Sequence, residues 1–354
     1  MDSNGMTKSQ RLRTIEHLLA SNLGGISRVE LSRRLRVNKS TITRDIQELS
    51  LDLPLVEDSR GRLILHKRDY RSFVELTLFE MEALHLSARL FARTMRFPFP
   101  HASAALRKLA EAQKQVSRVL SERIQGTAEE IDALNLLSDR DSLGYRLLVE
   151  ELGVAISDSR PISFHYRSAK STQDSANPAG KLYRVFPITL EPHFEGRSVY
   201  LIALLLNDSK TEDPMDSAQA LQNFRTFNLE HMDALQIEQP NPTLLQFSAS
   251  EWVRNRMFHA WSIWSTNRDP VEVRLLFTGE GAIRLVQTLW HPTQVLEPQD
   301  DGSVMWTAHI SEPLEMYPWI RGWGPDVQVL APESLRQRHI DDFRRGADVY
   351  GICT

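Results

Sequence analysis

The sequence predicts an α+β chain of several domains, and three observations predict it. At 354 residues the chain exceeds what one core usually holds, so two to four domains are expected. Apolar residues recur at helical spacing as far as residue 158 and at strand spacing from Pro161 onward. Charge is divided unevenly: residues 1–72 hold 14 Lys and Arg against 9 Asp and Glu, net +5, and the remainder holds 28 against 37, net −9. A basic end on an acidic chain favours a localised polyanion partner. No apolar run approaches the roughly 18 residues of a membrane span, and the opening MDSNGMTKSQ has no signal-peptide features, so a cytoplasmic location is expected. The single cysteine, Cys353, offers neither a disulfide framework nor a cysteine metal site.

The first element is SQRLRTIEHLLA, with Leu12, Ile15, Leu18 and Leu19 at helical spacing. Gly24 and Gly25 break the chain, and Ser27 with Glu30 forms a capping box that opens SRVELSRRLRV. Arg36, Val37 and Asn38 make a tight link to a third helix, for which Asn38 is a good N-cap. In that helix Ile42, Ile46 and Leu49 form one apolar stripe, leaving Ser40, Arg44 and Gln47 on the opposite face and Lys39, Thr41 and Thr43 at its edges. LPLVEDSRGRLILHKR then reads as strand, turn at Asp58 to Gly61, and strand. This order is a winged helix-turn-helix, whose second paired helix enters the DNA major groove. Ser40, Thr41, Thr43, Arg44 and Gln47 are assigned to base edges or flanking phosphates, with Arg44 the residue for a bidentate guanine contact. Arg33, Arg34 and Lys39 grip phosphate, and Arg60 and Arg62 reach backbone or the adjacent minor groove.

Residues 73–158 read as helical, with FVELTLFEMEALHLSARLFART and SAALRKLAEAQKQVSRVLSERI as long amphipathic segments, then LGYRLLVEELGVAIS. Met81, Leu84, Leu86 and Leu90 are read as core, and the layer is also a possible dimer interface. From Pro161 the runs PISFHYRS, KLYRVFPITLEPH, SVYLIALLL and NFRTFNLEHM, separated by loops at 169–180 and 207–219, suggest a small antiparallel barrel over residues 159–240. SASEWVRNRMFHAWSIW reads as a linker helix within 241–268. The last stretch, 269–354, alternates as βαββαβ plus a helix, the ferredoxin-like order.

Those runs carry a resemblance. ISFHY, YRVFPITL, VYLIAL and FRTFNLEHM in the barrel, and VEVRLLF, LWHPTQV, DGSVMWTAHI and DVQVLAPESLR beyond it, resemble the bacterial WYL-domain transcriptional regulators. These carry a winged helix-turn-helix (here 1–72), a helical linker (73–158), an Sm/SH3-like WYL barrel and a C-terminal extension called WCX. The chain departs from the pattern at two places. Val199-Tyr200-Leu201 replaces the tripeptide that names the family, and His231-Met232 replaces an Arg-Ile pair. The resemblance implies an effector bound to the barrel, in several members a nucleic acid fragment or nucleotide. Carried over position by position, its contacts are Tyr166, Arg184, Tyr200 and Arg225, with His165 and Ser168 as weaker neighbours. Read structurally, the tyrosines are half-buried packing and the arginines are partners of a carboxylate such as Glu191 or Glu230.

Catalysis finds no motif: there is no GxGxxG or Walker loop, no HExxH, no GxSxG, and the histidines at 165, 193, 231, 259, 291 and 309 are scattered. No cofactor or metal is expected. GEGAIRL caps a helix rather than cradling phosphate. Two readings stand. One is an effector-controlled transcriptional regulator, a homodimer on a pseudo-palindromic duplex, with single-stranded DNA or a nucleotide as effector. The other is a nucleic-acid accessory protein without promoter specificity. The resemblance leaves phage defence and the DNA-damage response both open.

Overall fold

In a computed structural model the described residues are 6–22, 25–66, 70–71, 74–95, 101–137, 142–167, 180–193, 197–206, 223–239, 253–254, 257–264 and 269–352. The chain divides into two compact units, Met1–Ala83 and Leu84–Thr354.

In the first unit, α1 (Lys8–Ser21) begins at Thr7 with a capping box to Gln10. Gly25 follows at φ +74°, where a Cβ would meet Ile64 at 2.8 Å, so the break needs glycine. β1 (Ile26–Ser27) leads into α2 (Arg28–Leu35), whose first turn is capped by the Ser27 hydroxyl accepting from the Glu30 amide at 3.2 Å. Glu30 does not complete the expected box, because its carboxylate accepts from Arg33 and Arg34. Arg36 then turns left-handed at φ 54°, and the Ser32 hydroxyl donates to the Val37 carbonyl at 2.6 Å. α3 (Lys39–Leu49) starts at Asn38 as predicted, but the Asn38 side chain makes no capping bond. Its carbonyl receives Thr41 and Ile42 instead. β2 (Leu55–Glu57) and β3 (Arg62–Leu65) form the hairpin, and β1 joins β3, giving the antiparallel order β1-β3-β2. Ile15, Leu19, Leu31, Leu35, Ile42, Ile46 and Leu63 fill one core beneath these elements. The three helices and ribbon match the predicted winged helix-turn-helix order.

Helix α4 (Leu78–Thr94) overturns an expectation. Met81 is buried, but Leu84, Leu86 and Leu90 are 49%, 49% and 64% exposed. The helix buries Met81, His85 and Ala92, with Met95 just beyond its end, a face in which a histidine and an alanine stand between two methionines and which leucine counting passes over. The expected single helix over 103–124 is two, α5 (Ala102–Gln113) and α6 (Arg118–Leu137), packed on each other. Ser117 interrupts the run: its hydroxyl accepts from the Leu120 amide, and the Ser121 hydroxyl donates back to the Ala110 carbonyl. Leu106, Ile124 and Ile131 are buried in that hairpin.

After α7 (Ser142–Ser157) comes a five-stranded antiparallel sheet of β4 (Ile162–Tyr166), β5 (Lys181–His193), β6 (Ser198–Leu205), β7 (Phe224–Asn228) and β8 (Met232–Ile237), in the order β7-β6-β5-β4-β8. The fifth strand, MDALQI, escaped the sequence reading because Asp233 and Ala234 are exposed at a bulge, Ala234 at φ 52°. One face packs Phe164, Val185, Leu201 and Phe227 against α7, and the other carries Phe186, Ile202, Leu204 and Phe224. The loops expected at 169–180 and 207–219 lie outside the described residues apart from Gly180. Of the expected linker helix, residues 258–264 are turn and extended chain.

The C-terminal portion runs β9 (Val271–Phe277), α8 (Gly279–Leu285), β10 (Val295–Pro298), β11 (Val304–Ile310), a 3₁₀ turn continuing into α9 (Tyr317–Arg321), β12 (Val327–Ala331) and α10 (Glu333–Val349). Its antiparallel order β10-β11-β9-β12 is the ferredoxin-like one, around a core of Leu275, Phe277, Trp306 and Ile320.

Candidate nucleic-acid interface

The apolar stripe of α3 is turned inward, so its polar face is presented. Lys39, Ser40, Arg44 and Gln47 are exposed, with Thr41 and Thr43 at the margin. Among the described residues the Lys39, Ser40, Arg44 and Gln47 side chains hold no partner, whereas the Thr43 hydroxyl donates to the Lys39 carbonyl. The other predicted cations are held by carboxylates. Arg33 and Arg34 share Glu30, at 2.6 and 2.7 Å, and Arg33 above all holds the Glu30 carboxyl below the usual range. Arg62 lies 2.8 Å from Asp58, whose carboxylate also accepts the Arg60 and Arg62 amides and is kept low chiefly by the Arg62 N–H. Arg60 is exposed at the turn. Lys39, Ser40, Thr41, Arg44, Gln47 and Arg60 are thus uncommitted, while the Arg33, Arg34 and Arg62 side chains remain solvent-exposed within their surface ion pairs.

One residue of α3 was missed. Asp45 stands within the apolar stripe and is buried, where Arg11 of α1 grips it bidentately at 2.6 and 3.1 Å. The signal in the sequence is a carboxylate three residues after Ile42 and one before Ile46, a position where solvation does not apply.

The barrel residues carried over by resemblance do not form one cluster. Tyr166 packs with Phe164, Tyr183 and Phe227, and Arg225 sits opposite Ala203 on that same face. Arg184 alternates with Tyr183 and Val185, and Tyr200 with Val199 and Leu201, so both belong to the other face. His165 likewise lies between Phe164 and Tyr166, opposite Asp233, and Ser168 lies outside the described residues. Arg184 is paired with a carboxylate, that of Glu238, at 2.8 Å, and Arg225 donates to the Phe224 carbonyl at 2.6 Å. The two tyrosines do converge on Asn228: its amide donates to the Tyr166 hydroxyl at 3.2 Å, and its side chain bonds the Tyr200 hydroxyl. Burial pushes both phenols up, so they remain neutral donors and acceptors.

A richer cationic and aromatic site lies elsewhere in the second unit. A cleft of about 470 Å³ is lined by Arg93, Arg197, Arg284, Trp290, Trp319 and Trp323, together with Thr94, Pro318 and Gly322. The indoles stand 5.3 to 5.7 Å apart, and the Arg284 guanidinium lies 4.9 Å over the Trp323 ring. No lining residue is acidic; Arg93 is shared with Glu130 at 3.1 Å, while Arg197 has no ion-pair partner among the described residues. Trp323 is 7% exposed beneath Arg284, so the partly exposed Trp290 and Trp319 are the rings that a planar base beside a guanidinium-bound phosphate could meet, and the volume falls within the range of about 300–1,000 Å³ of small-ligand sites. The sequence analysis assigned these tryptophans no role.

Comparison with known proteins bears on the C-terminal part. Residues 269–347 match the model of the WCX domain, so the ferredoxin-like sheet and its helices are a WCX domain. That match, confined to the C-terminal part, agrees with the resemblance to the WYL-domain regulators. No curated protein matches the sequence. Among solved structures, the chain is similar to proteasome accessory factor B/C (PafBC) of Arthrobacter aurescens at 14% identity and TM-score 0.30, over 94% of this chain and 47% of that one. It thus spans about half the length of PafBC. A CRISPR Cas-related protein is similar at 11% identity and TM-score 0.42, over 79% of this chain and 88% of the other. Among the described residues no helix is long and apolar enough to cross a membrane.

Proposed function

We propose that this protein is a DNA-binding transcriptional regulator whose operator affinity is set by an effector, a nucleotide or short single strand, held in the tryptophan and arginine cleft. The observation that carries the reading is the state of α3. Its apolar side is buried, and Lys39, Ser40, Arg44 and Gln47 stand uncommitted on the opposite side, in the second helix of a helix-turn-helix pair. The charge asymmetry supports a polyanion partner at this end of the chain. Two copies reading a pseudo-palindromic site complete the proposal. The cleft lies in one unit and the reading face in the other, so the effector acts by binding one arrangement of the heads better than another.

The test is fluorescence anisotropy on the protein's own upstream duplex and on a scrambled duplex at near-physiological salt, each with and without a short single-stranded oligonucleotide. A preference of about 10³ or more for the upstream duplex, shifted by the oligonucleotide, supports the regulator. Equal, weak, salt-sensitive binding to both duplexes supports the accessory protein instead.

A further inference from the structure

Helix α3 turns three side chains fully into the core of the first unit, and one of them is charged. Ile42 and Ile46 pack against apolar neighbours, and Asp45 lies between them, its side chain 3% exposed and that of Arg11 7% exposed. One turn further along both helices, Lys8 meets Glu48 at 2.6 Å. Lys8 precedes Arg11 by three residues and Glu48 follows Asp45 by three, so the pairs are successive rungs of one ladder between α1 and α3.

Apolar packing has no direction, and two isoleucines alone leave α3 free to turn slightly about its own axis. A turn of about 20° carries a side-chain tip about 6 Å from that axis through about 2 Å, which is more than a base-edge hydrogen bond tolerates. A guanidinium fork on a carboxylate is directional in plane, angle and length, whereas the exposed Lys8–Glu48 pair adds only a weak contact beside it. Stability does not require a charge here. A buried ion pair replaced by apolar groups of similar volume is often neutral or stabilising. We infer that the Arg11–Asp45 pair sets the rotation of α3, so that Arg11 and Asp45 determine operator specificity as positioning residues while remaining covered by the core. The inference rests on the DNA-reading role proposed for α3.

Two variants separate positioning from folding. Arg11→Met with Asp45→Leu fills the same space without direction, and Arg11→Lys keeps the charge without the fork. Circular dichroism and thermal melting report folding, and anisotropy on the upstream and scrambled duplexes at one salt concentration reports specificity. For each variant the expected result is a folded protein, scrambled-duplex affinity within about twofold of the wild type, and a specificity ratio lowered at least tenfold. A folded variant with the wild-type ratio overturns the inference. So does equal loss on both duplexes, which marks the pair as structural only. Where the double variant does not fold, Arg11→Lys carries the test alone. If the wild type itself shows no preference, the DNA-reading role fails first, and that is seen before any variant is compared.

Discussion

Asp58 pairs with Arg62 in the wing and Glu30 with Arg33 and Arg34 in α2, so each carboxylate holds arginine on its own element. That changes what the arginines nearby can be asked to do. Arg60 is exposed at the turn and, under the proposed function, is the wing's candidate for phosphate, while Arg62 is paired with Asp58 within the hairpin. Arg60→Ala should weaken binding to all duplexes alike and lower the slope of log affinity on log salt by about 1, whereas Arg44→Ala should remove about 1–3 kcal/mol of discrimination at one base position, read from salt titrations on matched and mismatched duplexes. His291 is another residue fixed in one state. Its Nε2 donates to the Ala260 carbonyl at 3.2 Å and its Nδ1 accepts from the Thr293 amide, so the neutral ring satisfies both partners. Burial accordingly holds its pKa below the ordinary histidine value. The unfolded chain then binds a proton that the folded one refuses. This contribution to stability is complete above the unfolded value near 6.5 and is lost as pH falls below it. Melting of the WCX domain should therefore drop between pH 7.5 and 5.5, and drop less in His291→Gln, by calorimetry at both values.

At the level of elements, the sequence was legible wherever periodicity and burial coincide. The order of the last seven elements, the wing and the three N-terminal helices all follow from apolar spacing and turn residues. The misreadings share a cause, which is a core face or a break not written in large apolar residues. Helix α4 buries His85 and Ala92 and leaves Leu86 and Leu90 outside, Ser117 splits a continuous periodic run, and β8 carries a bulge. The candidate reading face was legible because exposure follows from the opposite stripe. The aromatic cleft was not, since Arg93, Arg197 and the tryptophans are far apart in sequence and meet only in the folded unit. The reassigned faces are checkable by urea unfolding: Leu90→Gln should change stability by less than about 0.5 kcal/mol, whereas Ile124→Ala should cost about 2–4 kcal/mol.

For the molecule as a whole, the proposed function demands that a cleft in one unit affect a helix face in the other, and Glu315 shows how the second unit holds its own parts in register. This buried carboxylate accepts the amides of Ser262, Ile263 and Trp264 at 2.8 to 3.0 Å, and His193 at the end of β5 lies 3.5 Å away. It thereby joins the five-stranded sheet, the chain leading to the WCX domain and the WCX domain itself. Glu315→Gln replaces an acceptor with a donor facing those amides and should cost about 1.5–3 kcal/mol in unfolding. Coupling between cleft and operator has a stricter signature, because it must be reciprocal. If an oligonucleotide changes operator affinity by some factor, the operator must change oligonucleotide affinity by that same factor. Arg197→Ala with Arg284→Ala should weaken oligonucleotide binding at least tenfold and leave operator affinity without oligonucleotide unchanged. Trp319→Leu should cost about 1–3 kcal/mol of stacking on the oligonucleotide alone. Anisotropy with the label first on the duplex and then on the oligonucleotide measures both factors. An oligonucleotide effect on operator affinity that persists unchanged in the Arg197→Ala with Arg284→Ala variant would mean that the cleft is not the regulatory site.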